Sequence, residues 1–269
     1  LLFTVATVEV KFLRYTFPLM PVFIMMGSGV SLQVVGWLRK HSRAAGRVGA
    51  GAVGFVVIAT AFYGLAFESI YASPHPAVQA SQWINANAPP GASIVTDNHW
   101  DEGIPDLGRY PVNQLPMFDG DSVLKIDSVT KKLARADYLV FYSNRTYGVI
   151  SRVPERYPYS SNYYRALFSG DLGFDLIKDF SSYPRLLGVV FADDTFSRAG
   201  LDVPEGLEAP NRTPLTINQG YADNDAIGYD HPLVLVFENT TRYSSDDLLQ
   251  LLLIPDAPAR QLEEPRLML

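Results

Sequence analysis

Three groups of side chains have types and spacings that can do chemistry. The first is Lys11, Arg14 and Tyr15 in KFLRYTFPLMP, two cations three residues apart and a phenol, at the mouth of an apolar run. A lysine point charge, an arginine fork and a hydroxyl can hold a phosphate and stabilise charge on it as it leaves. The same residues also suit anchors that snorkel to a membrane edge. The second is TDNHWDEGIPD, where Asp97, His99, Trp100, Asp101 and Glu102 follow an expected strand. Carboxylates and one imidazole are adequate ligands for a hard divalent metal. The spacing matches no established metal loop, so the alternative is a turn with Trp100 and Ile104 packed inward. The third is His231, before Pro232 at the entry to another expected strand, a position equally suited to a turn residue.

Other chemistries have little material. The chain has no cysteine and only four histidines (His41, His75, His99 and His231), and it carries no G-x-S-x-G elbow. Disulfides, thiolate sites and cysteine nucleophiles are therefore excluded. The run RYPYSSNYYRALF (residues 156–168) can stack on sugar rings or serve as the aromatics of one helix. Asn-x-Thr sequons stand at Asn144, Asn211 and Asn239; Pro214 makes Asn211 the poorest acceptor, which leaves Asn144 and Asn239 as candidate glycosylation sites.

Two apolar runs precede the second and third groups. Residues 17–38 and 48–67 carry no formal charge, and each is long enough to cross the ~30 Å hydrocarbon core as a helix. Pro18 and Pro21 sit in the first turns, where a missing N–H costs least. Between the runs lies RKHSRAAGR (39–47), with four Lys/Arg, which the positive-inside rule places in the cytoplasm. Both outer ends then face out, and no Lys or Arg falls between Arg47 and Arg109. The opening LLFTVATV reads as the end of an earlier span, which makes the chain a piece of a longer one. Residues 1–71 form the membrane part, and residues 72–269 an extracytoplasmic domain. GAGAVG (49–54) fits the dinucleotide fingerprint, but a basic loop precedes it and an apolar run follows, so the cofactor reading is rejected. Gly46, Ala50 and Gly54 instead make a small-residue stripe for a partner helix.

The outer domain alternates helix and strand, the pattern of an α/β fold. Helices are expected at 77–85, 121–135 (capped by Asp121 or Ser122), 159–168 and 244–253. Strands are expected at 93–96, 137–143, 173–180, 185–192 and 231–239. Residues 193–228 read as a long loop. Beyond residue 71 there are 16 basic and 26 acidic residues, a poor surface for nucleic acid phosphates.

Three stretches carry a family resemblance. KFLRYTFPLMP resembles the K-x-x-R-Y-x-x-P-x-x-P segment that opens a late span in GT-C membrane glycosyltransferases of the dolichyl-phosphate-mannose–protein mannosyltransferase type (family 39). HWDEGIP resembles the W-D-D-x-L-P segment of their exterior domain, with Glu102 where the family has a second Asp. YDHPLVLVFENTTRYSSDDLLQLL resembles the Y-D-H-P-x-V-x-I-F segment that follows. The order of these segments, with the final PRLML, is closest to the archaeal and bacterial YYY-domain membrane proteins. The resemblance implies sugar transfer from a polyprenyl-phosphate donor to a protein or glycan acceptor on the outer membrane face. It implies donor-phosphate binding by Lys11, Arg14 and Tyr15, and an exterior-domain site around Asp97, His99, Trp100, Asp101, Glu102 and His231. The family's catalytic or metal-associated acid stands on the first exterior loop, upstream of Leu1, so the piece alone is expected to be inactive. Its partners would be membrane lipid, the lipid-linked sugar and the remaining transmembrane helices of the parent chain. The competing expectation is a non-catalytic, membrane-anchored binding or assembly domain.

Overall fold

The computed structural model describes residues 17–97, 103–207, 215–222 and 224–253. Lys11, Arg14, Tyr15, His99, Trp100, Asp101 and Glu102 lie outside the described residues. The chain divides into two compact units, Leu1–Glu68 and Ser69–Leu269, somewhat before the boundary expected after residue 71.

In the first unit, helix α1 (Met20–His41) and helix α2 (Arg43–Glu68) form a hairpin. Pro21 occupies the first turn of α1, and cations occupy its last turn. The basic segment 39–47 is not the loop expected. Ser42 alone breaks the helix, with extended φ and ψ of −159° and 132°, and its hydroxyl accepts from the N–H of Ala45 to cap α2. The arms pack closely because glycines face the turn. A Cβ on Gly46 would overlap Cγ of Arg39, and one on Gly49 would lie 2.8 Å from Cδ1 of Leu38. Part of the small-residue stripe is thus used within the hairpin itself, while Gly54 has open space around it. The GAGAVG segment lies wholly inside α2, and among the described residues no strand precedes that helix.

The second unit is an α/β domain with two sheets. The larger sheet has the order β2-β1-β3-β8-β4, with β1 (Ile94–Thr96), β2 (Val112–Gln114), β3 (Tyr138–Phe141), β4 (Phe174–Phe180) and β8 (Val234–Asn239). Strands β2, β1 and β3 run parallel, and β8 pairs antiparallel with both β3 and β4. Helix α3 (Pro76–Asn87) leads into β1. Helix α4 (Val123–Leu133) carries the chain from β2 over to β3, and its cap is Ser122, whose hydroxyl accepts from the N–H of Lys125. Helices α5 (Tyr147–Ile150) and α6 (Pro158–Phe168) follow β3, and α8 (Ser245–Leu252) follows β8 behind a Ser244/Asp247 capping box.

Strand alternation divides the core into two layers. Val95, Leu139, Phe141, Leu235 and Phe237 face α4, α6 and α8, with Ile126, Val129, Leu133, Tyr163, Tyr164, Leu248 and Leu252 in that layer. Ile94, Tyr138, Val140, Val234 and Val236 face Ala80 and Ile84 of α3. The four residues of β3 are therefore all buried, as expected for a strand covered on both faces.

The smaller sheet was only partly foreseen. RLLGVVFA was expected as one strand, but it is a hairpin of β5 (Arg185–Leu186) and β6 (Val189–Asp194). Leu187 and Gly188 turn it with φ of 51° and 83°, the pair of positive values that a two-residue hairpin turn needs. β7 (Leu215–Tyr221) lies within the expected loop 193–228 and pairs parallel to β6. The short helix α7 (Asn224–Ile227) follows it.

Candidate functional site

The carboxyl ends of β1, β3 and β4 point the same way, and the antiparallel β8 begins there. In α/β sheets this is the end where ligands usually sit. Asp97 leaves β1 at this end, the segment Ser143–Thr146 leaves β3, and His231 comes just before β8. The ends of β6 and β7 join them through side chains: Asn144 Nδ2 donates to the carbonyl of Ala222 across 3.1 Å, and Tyr147 OH lies 3.1 Å from Oγ1 of Thr195. The chain also enters the domain here. Tyr71 donates to Asp230 Oδ1 at 2.8 Å, and His75 Nδ1 accepts from the N–H of Ala77 while its Nε2 donates to the carbonyl of Tyr229.

Asp97 is 1% exposed. Its Oδ2 accepts from Thr146 Oγ1 at 2.5 Å and from Tyr164 OH at 2.8 Å. Three fully buried tyrosines, Tyr147, Tyr163 and Tyr164, stand around it. Burial, with the Asp97 charge beside them, pushes Tyr163 and Tyr164 well above the usual phenol range. Burial also raises Tyr147, against the opposing hydrogen bond with Thr195. The phenols are thus neutral donors, which suits them to an anionic acceptor. Tyr163 OH and Asn144 Oδ1 are buried without a hydrogen-bond partner.

His231 is 5% exposed and stands against Asp193, with Nε2 3.4 Å from Oδ2. Asp193 follows Ala192 near the end of β6, and Asp194 next to it caps the turn Ser197–Ala199. Burial would raise Asp194, but hydrogen bonds from Ser197 and from the N–H of Phe196 hold it below the usual carboxylate range. Tyr183 is raised by burial and by the charges of Asp193, Asp179 and Asp194. Among the described residues, no three His, Asp or Glu side chains gather as a metal-binding group.

The opposite face of the same sheet end holds a cleft of about 290 Å³, lined by Thr96, Gly103, Ile104, Leu107, Gln114 and Val140. Alternation places Thr96 on this face and Asp97 on the other. Gly103 and Ile104 of its wall follow His99–Glu102 directly in the sequence.

One of the two readings of the tyrosine run is borne out, and the reading of Asn144 and Asn239 as glycosylation sites is corrected. Tyr157, Tyr159, Tyr163 and Tyr164 are all buried, so the tyrosine-rich run is core and not a sugar-stacking face. Asn144 and Asn239 are 1% and 4% exposed. Nδ2 of Asn144 is bonded to Ala222, and that of Asn239 to the carbonyls of Leu133 and Ala136. Neither amide has room for a glycan in the folded domain, and the hydroxyl of Thr146, in the first sequon, is spent on Asp97. Sequence reasoning also missed Thr146, Tyr164, Asp193 and Thr195 as partners of this end of the sheet. The one available signal was the tyrosine run on a helix, which marks a buried face without naming the carboxylate it meets.

Comparison of the chain with family models, with curated proteins and with solved structures finds no match.

Proposed function

We propose that this chain is part of a membrane glycosyltransferase that moves a sugar from a polyprenyl-phosphate donor, with the α/β domain outside the membrane helping to position the acceptor. The observation that supports the membrane setting is the exposure of apolar side chains along both arms of the hairpin. Met25, Leu32 and Phe55 are 73%, 70% and 72% exposed, and Phe23, Ile24, Met26, Trp37, Val56, Val57, Ile58 and Leu65 are exposed beside them. Each such side chain left in water forgoes about 2 kcal/mol of transfer free energy, which a lipid environment restores. Both helices are long and apolar enough to span a bilayer.

The sugar-transfer half of the reading rests on the resemblance of the segments around Lys11, Asp101 and His231. Lys11, Arg14 and Tyr15 hold the donor phosphate in this reading, and the catalytic acid belongs to another part of the parent protein. The test is transfer of labelled sugar from a polyprenyl-phosphate donor in membranes holding the parent protein. Lys11→Ala or Arg14→Ala is expected to lower transfer about 100-fold while insertion is kept. Transfer untouched by either change makes the two cations membrane anchors.

A second reading, a non-catalytic membrane-anchored binding or assembly domain, is favoured by one feature. The carboxylate at the end of β1 is closed in by Thr146 and Tyr164 and is not open to a substrate. No transfer by the unsubstituted parent with any polyprenyl-phosphate donor would put this reading first.

A further inference from the structure

The turn of the hairpin gathers three arginines on one depression of about 400 Å³, lined by Arg39, Arg43, Arg47 and Ala50. Arg39 closes α1, Arg43 opens α2, and Arg47 stands one turn further along the same face of α2. Four-residue spacing alone would give a row on one helix. The close approach at Gly46 brings Arg39, from the other arm, to the same wall, since any side chain at Gly46 would meet the Arg39 stem. Ala50 keeps the floor small. All three arginines are exposed, and none makes an ion pair with a carboxylate of the described residues. The first turn of α2 holds no acid.

We infer that this depression binds a phosphate group, and that its source is the headgroup of an anionic phospholipid. Three guanidinium forks around one small floor match the tetrahedral oxygens of a phosphate better than lysine point charges would. The apolar side chains begin immediately beyond the basic turn, with Trp37 exposed two residues before Arg39 and its ring 4.2 Å from that of His41. An indole at that depth marks a membrane–water interface, where a lipid phosphate lies. Basic pockets between membrane helices take such headgroups, and each cation contributes about a fivefold preference. The inference rests on the membrane reading above. The site stands at the C-terminal end of α1, whereas Lys11 and Arg14 precede its N-terminal end in the sequence.

The test uses the full chain with Trp83→Phe and Trp100→Phe, which leaves Trp37 as the reporter. The chain is placed in phosphatidylcholine vesicles containing brominated phosphatidylglycerol. Quenching of Trp37 well above the mole fraction of the anionic lipid is expected. Arg43→Gln should lower that preference about fivefold, and Arg39→Gln/Arg43→Gln/Arg47→Gln should abolish it. Lys40→Gln, at a residue that does not line the depression, should lower it by less than Arg43→Gln does. Quenching in proportion to mole fraction, or an equal fall with Lys40→Gln, overturns the site. In either case quenching by brominated phosphatidylcholine still shows the hairpin in the bilayer. Absence of quenching by both lipids overturns the membrane reading and this inference together. Relief of quenching by millimolar inorganic phosphate overturns the lipid source and leaves a site for soluble phosphate.

Discussion

Tyr164 donates its phenolic O–H to Oδ2 of Asp97 across 2.8 Å, and both side chains are closed to solvent. Thr146 donates to the same oxygen, so one carboxylate ties the end of β1 to α6 and to the segment after β3. Tyr164→Phe is expected to cost about 2 kcal/mol, the worth of a buried hydrogen bond to a charged group. Asp97→Ala leaves two buried hydroxyls unpaired and is expected to cost more, about 3 kcal/mol. Denaturant unfolding of the full chain in detergent measures both.

Lys125 and Asp121 form an ion pair in which both partners are nearly closed to solvent, with side chains 4% and 0% exposed and 2.8 Å between Nζ and Oδ1. Nζ also donates to the carbonyls of Met117 and Asp119 and to Ser160, while Asp121 accepts from the Ser160 N–H. Burial lowers the Lys125 pKa, and Asp121 opposes that shift. Removing one partner strands a buried charge, so Asp121→Ala is expected to cost about 3–5 kcal/mol. Asp121→Ala with Lys125→Met should recover much of the loss, as thermal unfolding of the single and double variants would reveal.

The buried phenols set an alkaline limit. Tyr147, Tyr163 and Tyr164 have folded pKa values above the ordinary 10.0. Above pH 10 the unfolded chain therefore releases protons that the folded chain keeps, and stability falls as pH rises. These three of the 15 tyrosines should ionise only as the fold is lost. Phenolate absorbance should then show a late step coincident with the loss of circular dichroism. A single smooth titration finished before unfolding would contradict the closed cluster.

Two glycines close together in the chain should respond differently to substitution. Gly170 has φ of 88° and open space around it, whereas Gly173 has φ of 75° and a Cβ there would lie 2.6 Å from Cβ of Thr241. Gly170→Ala is expected to cost about 1 kcal/mol, from the left-handed backbone alone. Gly173→Ala adds overpacking against the segment after β8, for about 3 kcal/mol in all. Equal costs in denaturant titrations would show that Thr241 moves aside freely.

The sequence by itself determined the elements whose signals are local. The charge-free runs mark α1 and α2, and Ser122 and Ser244 mark the caps of α4 and α8. The apolar runs of β3 and β8 mark strands buried on both faces. Tertiary structure decided what local signals do not carry. β2 is an exposed three-residue edge strand and β7 a largely exposed one, so neither shows the burial pattern by which a strand is read. Leu187 lies at a positive φ that its residue type does not announce. Asp97 was singled out from its place after a strand, but its partners Thr146 and Tyr164 lie 49 and 67 positions away in the chain. A pairing over that separation exists only once β1, β3 and α6 are packed. For the same reason Asn144 and Asn239 read as surface acceptors in the sequence and became buried brackets in the fold, because burial depends on what the rest of the chain places over a residue.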